Sequence, residues 1–155
     1  MDGESRVVSR CALELPVVLE VEPELAGKPF PTLYYLVCPL ARARISRLEQ
    51  AGEVRELTQR VAEDEVFGAA FAATQEAYAR ERAEHVSPES PVAGRLRGGV
   101  GGSTVGVKCL HAHYAHGRAG RENPVADVVR DRVEPLNCAV PCVLGSQRNP
   151  RWQEP

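Results

Sequence analysis

Five cysteines and three closely spaced histidines carry most of the chemical potential of this 155-residue sequence. The cysteines are Cys11, Cys38, Cys109, Cys138 and Cys142, and the histidines are His111, His113 and His116. An odd cysteine count behind an acidic, polar start (Met-Asp-Gly-Glu-Ser) argues against a disulfide framework and for reduced thiols. Metal binding and buried free thiols are then the two readings of the cysteines. Zinc takes four tetrahedral ligands from thiolate and imidazole at about 2.0–2.3 Å, and the sequence offers more than four. Cys138 and Cys142 have the C-x3-C spacing of a zinc-knuckle arm. On a continuous helix Cys109, His113 and His116 share one face, while His111 points roughly the other way. Cys109 and His113 can converge on one ion; Cys109 and His116 stand about 10 Å apart along the axis. Against this, free cysteine often serves as a small buried hydrophobe, and His113 has a plain reading as a surface residue. A thiol enzyme built on Cys109, a helix N-terminus and a nearby histidine is a third chemistry. No known thiol-hydrolase signature accompanies it.

The glycine-rich stretch before this helix invites a phosphate reading, which fails on its residues. Gly101-x4-Gly106 is followed by Val107 where a Walker loop needs lysine. Thr104 stands where a dinucleotide fingerprint needs its third glycine. What survives is a generic anion site at a helix N-terminus, with Gly106 and Lys108 as its residues.

The elements that must position these groups read as an N-terminal β region followed by helices. Strands are predicted at Arg6–Cys11, Pro16–Glu22 and Thr32–Cys38, the last as the central strand, with turn chemistry over Glu24–Pro31. In an antiparallel meander the first and third strands run the same way, which puts Cys11 and Cys38 on one edge of the sheet. Helices are predicted over Leu40–Ala51, stopped by Gly52, over Glu53–Ala62, and from an Asp64 N-cap to about His85. In the last, Phe67, Phe71, Thr74 and Tyr78 form an apolar stripe. Ser87–Gly106 reads as a flexible loop. Val107–Arg118 reads as a short helix, Asn123-Pro124 opens another turn or helix, and the chain beyond Pro135 reads as irregular. Arginines 42, 44, 47, 55 and 60 interleave with Glu49, Glu53, Glu56, Glu63 and Asp64, the pattern of a solvated, ion-paired face.

The fold class expected is therefore α+β. A small antiparallel three-stranded N-terminal sheet is packed by four to five helices, with a Gly/Pro-rich loop before the Cys/His helix. A single domain spans 1–155, with its core at about 6–143, the flexible loop at 87–106 and an irregular tail at 144–155. Hydrophobic residues make up 43% and charged residues 26%, a globular composition. Nineteen basic against 21 acidic residues give a charge of −2, which gives no strong nucleic-acid signal. No apolar run approaches the roughly 20 residues that cross a bilayer. A cytoplasmic, non-membrane protein is expected, with a protein partner as one option.

Several blocks together resemble a known family. They are Arg10-Cys11, Pro16-Val17-Val18, Pro29-Phe30-Pro31-Thr32-Leu33-Tyr34-Tyr35-Leu36 with Cys38-Pro39, Ser46-Arg47-Leu48-Glu49, Val107-Lys108-Cys109-Leu110-His111 with Ala115-His116, and Asn123-Pro124 with Asp127. From about Val8 to Val143 the chain resembles the bacterial domain of unknown function family 501, uncharacterised and actinobacterial in type. The resemblance implies Cys11, Cys38, Cys109, His111, His116 and Cys142 as the residues of interest. It allows histidine at the position of Cys38, an exchange that a zinc ligand tolerates. His113 and Cys138 fall outside the pattern, and Ala126 stands where the family tends to carry glycine.

Two functions follow from that set. In the first, Cys11, Cys38 and Cys109 with His116 or Cys142 hold a structural zinc in a binding or scaffold module. In the second, three ligands leave an open zinc position for a metal-dependent hydrolase, with His111 or Asp127 as general base.

Overall fold

The computed structural model describes residues 5–155. It has the expected α+β architecture, a three-stranded antiparallel sheet and five helices. Strands β1 (Ser5–Arg10) and β2 (Pro16–Val21) form a meander arm, with Arg6 opposite Glu20 and joined to it by a 2.9 Å ion pair. The chain then makes a small hairpin, β3 (Glu24–Leu25) and β4 (Lys28–Pro29). Its turn residues Ala26 and Gly27 both have positive φ, as a tight two-residue hairpin requires. Strand β5 (Tyr34–Leu36) returns along β2, so the order is β1-β2-β5. The central strand is thus β2, not the Thr32–Cys38 segment. Tyr34 and Leu36 face the core while Tyr35 is exposed. The apolar look of this segment comes from cover by helices on one face, not from strands on both sides.

Proline at its first position starts helix α1 (Pro39–Gln50), and Gly52 in a left-handed conformation ends it. Helix α2 (Glu53–Glu63) follows, then α3 (Glu65–Glu84), where the Asp64 side chain accepts the Phe67 N–H at 3.0 Å. Phe67, Phe71, Thr74, Tyr78 and Arg82 form the buried stripe of α3. Arg82 is the unusual member. Its guanidinium donates to the carbonyls of Pro31, Arg97, Gly98 and Gly99, which holds the 97–99 segment against the helix. Burial pushes its pKa down.

Helix α4 spans Leu110–Arg118 and begins three residues later than the sequence predicts. Val107 is tied down by Thr58, whose hydroxyl accepts its N–H at 3.1 Å. Cys109 is extended (φ −146°, ψ 115°) and acts as N-cap. Helix α5 (Pro124–Val133) packs closely on α4, with Ala126 against Gly117: a Cβ on that glycine would sit 2.4 Å from the Ala126 Cβ. The tail carries a second two-residue hairpin, β6 (Val143–Leu144) and β7 (Gln147–Arg148).

Arg44 on α1 holds the start of the tail by donating to the carbonyls of Val133 and Pro135 and to the Asn137 side chain. Arg47 makes a two-pronged pair with Glu154 at 2.6 Å. One core joins the sheet, the helices and Trp152 of the tail. No helix among the described residues is long and apolar enough to cross a membrane.

Candidate metal centre

A partly exposed stripe of α1 builds one wall of the site. Arg42, Ser46 and Glu49 recur at helical spacing and so lie along one face. The N-terminal end of α4 docks on that stripe. The Glu49 Oε1 accepts the N–H of Leu110 at 2.8 Å, which satisfies one of the helix's unpaired amide groups. The same oxygen lies 3.2 Å from His111 Nδ1. His111 Nε2 is 3.3 Å from Ser46 Oγ and 3.2 Å from the Arg42 carbonyl. The neighbouring Cys109 side chain is the main cause of the raised pKa of His111, and Glu49 adds to the effect.

One donor atom from each of Glu49, Cys109 and His111 lies within 4.8 Å of the other two. This is the only such group of three among the described residues. Zinc bonds of about 2.0–2.1 Å to nitrogen and oxygen imply a ligand–ligand edge of about 3.3–3.4 Å. The 3.2 Å between His111 Nδ1 and Glu49 Oε1 matches that edge. The donor set of carboxylate, thiolate and imidazole suits zinc. Cys109 and His111 also line a cleft of about 540 Å³ together with Tyr34, Tyr35, Arg42 and Ser46.

The residues implied at the sequence level are distributed over three places. Cys109 and His111 meet here. They do so because Cys109 is an extended cap residue, so helical spacing does not apply to it and its side chain turns toward His111. Cys11, Cys38 and Cys142 are not part of this group; like Cys138, they pack in or against the core. Cys38 caps the start of α1 and Glu49 is in its last turn, so about 16 Å of helix separates the two. His116 is buried with His113 on the inner face of α4. The Asn123 amide bridges the Nδ1 atoms of both rings at 3.0 Å and 3.1 Å, and its oxygen caps α5 through the Ala126 N–H. Burial lowers the pKa of His113 and of His116 to about 4 each. His116 also borders a separate cleft of about 990 Å³, with Glu81, Arg121 and Asp127 among its walls. Asp127, considered as a general base beside His111, therefore belongs to a different cleft.

Of the two anion-site residues, Gly106 is packed on Thr58 at positive φ, and a Cβ there would meet the Thr58 methyl at 2.6 Å. The helix N-terminus beyond Lys108 is already taken by the Glu49 carboxylate.

Glu49 is the donor that sequence reasoning missed. It reads as one acid among many on a charged face. Its membership of the Ser46-Arg47-Leu48-Glu49 block was the available signal. A family model described as "Protein of unknown function (DUF501)" matches residues 7–131. The chain belongs to this family. The matched span contains all three donors, as well as Ser46 and Arg42, and stops before Cys138 and Cys142. No curated protein matches, and no solved structure does.

Proposed function

We propose that this chain is a zinc-binding module whose Glu49–Cys109–His111 centre presents an open coordination position to the cleft between α1, α4 and β5. The observation that carries this reading is the convergence of three chemically different donors, two of which, Cys109 and His111, line a cleft. Three protein ligands with an open position are the pattern of a working zinc, whereas closed structural sites use four. When bound, zinc supplies Lewis acidity and lowers the pKa of a water.

The chain's own residues then have separate tasks. Ser46 and the Arg42 carbonyl orient His111 from the outside, as partners of a metal-ligating imidazole do. The Arg42 side chain and the Tyr35 ring on the cleft wall receive an oxygen-donor ligand, for which an anionic group on a protein partner or small molecule is the fitting chemistry. Binding is preferred over hydrolysis because the described cleft lining has no further carboxylate to act as a proton acceptor. The reading expects a reducing, cytoplasmic setting, since Cys109 must stay a free thiol to ligate.

Cobalt substitution tests it. Cobalt-loaded protein titrated with acetate or imidazole is expected to change its visible spectrum, and His111→Ala is expected to abolish the response. A cobalt spectrum unmoved by either probe means a closed site and sinks the reading. Zinc-dependent turnover of a simple ester that disappears in His111→Ala would favour the hydrolase instead.

A further inference from the structure

We propose that the cleft between α3 and the α4–α5 turn is a second ligand site, in which His116 and the N-terminal end of α5 hold the oxyanion group of a small organic molecule. The zinc reading makes no use of this cleft. It also leaves unused two of the family-like sequence blocks, Ala115-His116 and Asn123-Pro124 with Asp127, and both reach the cleft wall.

The hydrogen bonds of Asn123 fix which His116 nitrogen carries the proton. The Asn123 oxygen accepts the Ala126 N–H at 3.0 Å, so its NH2 group is the end that meets His116 Nδ1 at 3.1 Å. That contact requires Nδ1 to accept, which leaves the proton of the neutral ring on Nε2. Among the described residues nothing accepts from His116 Nε2, and this nitrogen is not sealed in the interior as His113 Nε2 is. The His116 side chain is otherwise buried, with the residue 2% exposed, and the cleft is where it surfaces. Its ring is gripped by Tyr34 and Tyr78, with centroids at 5.8 Å and 5.1 Å. The result is a rigid, uncharged N–H donor at the base of a cleft, with no acceptor of its own.

The surroundings select what that donor receives. Asn123 and Pro124 bring the positive end of the α5 dipole to the same wall. Three arginines and three carboxylates line the cleft, but the carboxylates are unequally free. Glu81 is held by Arg121 at 2.9 Å and by the Tyr34 hydroxyl at 2.7 Å. Asp127 is held by Arg130, which commits only its Nη2 and keeps the rest of its fork. Arg80 reaches only Glu76, at 4.0 Å, outside the cleft. Glu122 is the remaining acid and is exposed at the rim. Spare donors therefore outnumber spare acceptors, while the acids nearby disfavour a polyanion. A ligand with a single carboxylate or phosphate group fits that balance.

The cleft also has room for the body of such a ligand. Ala70, Ala73 and Ala77 recur at helical spacing along the α3 wall, and their short side chains keep it open. Its volume of about 990 Å³ is at the upper end of small-molecule sites.

The test uses the full chain carrying His111→Ala, so that binding at the zinc centre cannot imitate the result. Its histidine ring nitrogens are followed by NMR at neutral pH. His116 should be the neutral Nε2–H tautomer. Sodium acetate and inorganic phosphate are then titrated at constant ionic strength against a chloride control. At least one of them should move the His116 Nε2 signal along a saturable curve that chloride does not reproduce. Saturation by phosphate alone assigns the site to a phosphorylated ligand, and by acetate alone to a carboxylic acid. Asp127→Asn removes a like charge and should tighten the binding roughly fivefold. An Nδ1–H tautomer, the absence of a saturable shift with either anion, or Asp127→Asn leaving the affinity unchanged overturns the proposal. If the His111→Ala chain does not fold, the same titration of metal-free wild-type chain decides, because the signal read is that of His116 itself.

Discussion

Acid should loosen this protein well above the range where its carboxylates titrate. His113 and His116 are buried, and each is held near 4 mainly by desolvation. Their unfolded value is about 6.5. The unfolded chain therefore binds two protons that the folded one refuses, and stability falls as pH drops through this window. Between about pH 7 and pH 5 each ring loses roughly 2 kcal/mol, or about 4 kcal/mol for the pair. Against a typical total of about 5–15 kcal/mol that is a large share. For a domain of this length it corresponds to roughly 8–16 °C in Tm. His111 works in the opposite sense. Its raised pKa contributes stability that is fully present below the unfolded value and lost as pH rises, so it trims the total.

Urea unfolding followed by circular dichroism from about pH 7 to pH 5 measures the slope. His113→Gln and His116→Gln variants should each flatten it by about half, whatever they do to stability at neutral pH. A wild-type slope that survives both substitutions would refute the reasoning, as would histidine titrations by NMR that place both rings near 6.5.

Other substitutions test separate parts of the account. Asn123→Ala removes the α5 cap and both histidine contacts together, and should cost about 2–4 kcal/mol by thermal or urea unfolding. Gly106→Ala meets both a close Thr58 methyl and a left-handed backbone, so a loss of about 1–3 kcal/mol is expected in the same assay. Arg82→Met leaves four carbonyls short of a donor, and hydrogen exchange should show residues 97–99 opening first. Glu49→Gln should lower the pKa of His111 toward its ordinary value, readable by NMR.

The fold was readable because its signals are local. Pro39, Gly52, Asp64 and Asn123 each mark a helix end by backbone chemistry that needs no tertiary partner. The strand at Thr32–Cys38 was readable from its β-formers, but its inward and outward faces and which strand lies in the middle depend on pairing and helix cover, which the sequence does not display. The site was legible only in its residue types. Helical spacing groups Cys109 with His113 and His116. A single extended residue at position 109 breaks that rule and hands Cys109 to His111. Glu49 is indistinguishable from its charged neighbours until α4 docks on α1 and the Leu110 amide finds its oxygen. Arg82 extends the buried stripe one turn beyond Tyr78, where the sequence shows only another charged residue. Its burial depends on four carbonyls that the loop delivers only in the folded chain.

The most direct test of the central claim is zinc stoichiometry by native mass spectrometry. Wild-type chain would be compared with Glu49→Ala, Cys109→Ala and His111→Ala, all purified without chelator. Each variant is predicted to carry one zinc fewer than wild type while keeping its helical circular dichroism. Unchanged zinc content in all three folded variants would contradict a centre at Glu49, Cys109 and His111.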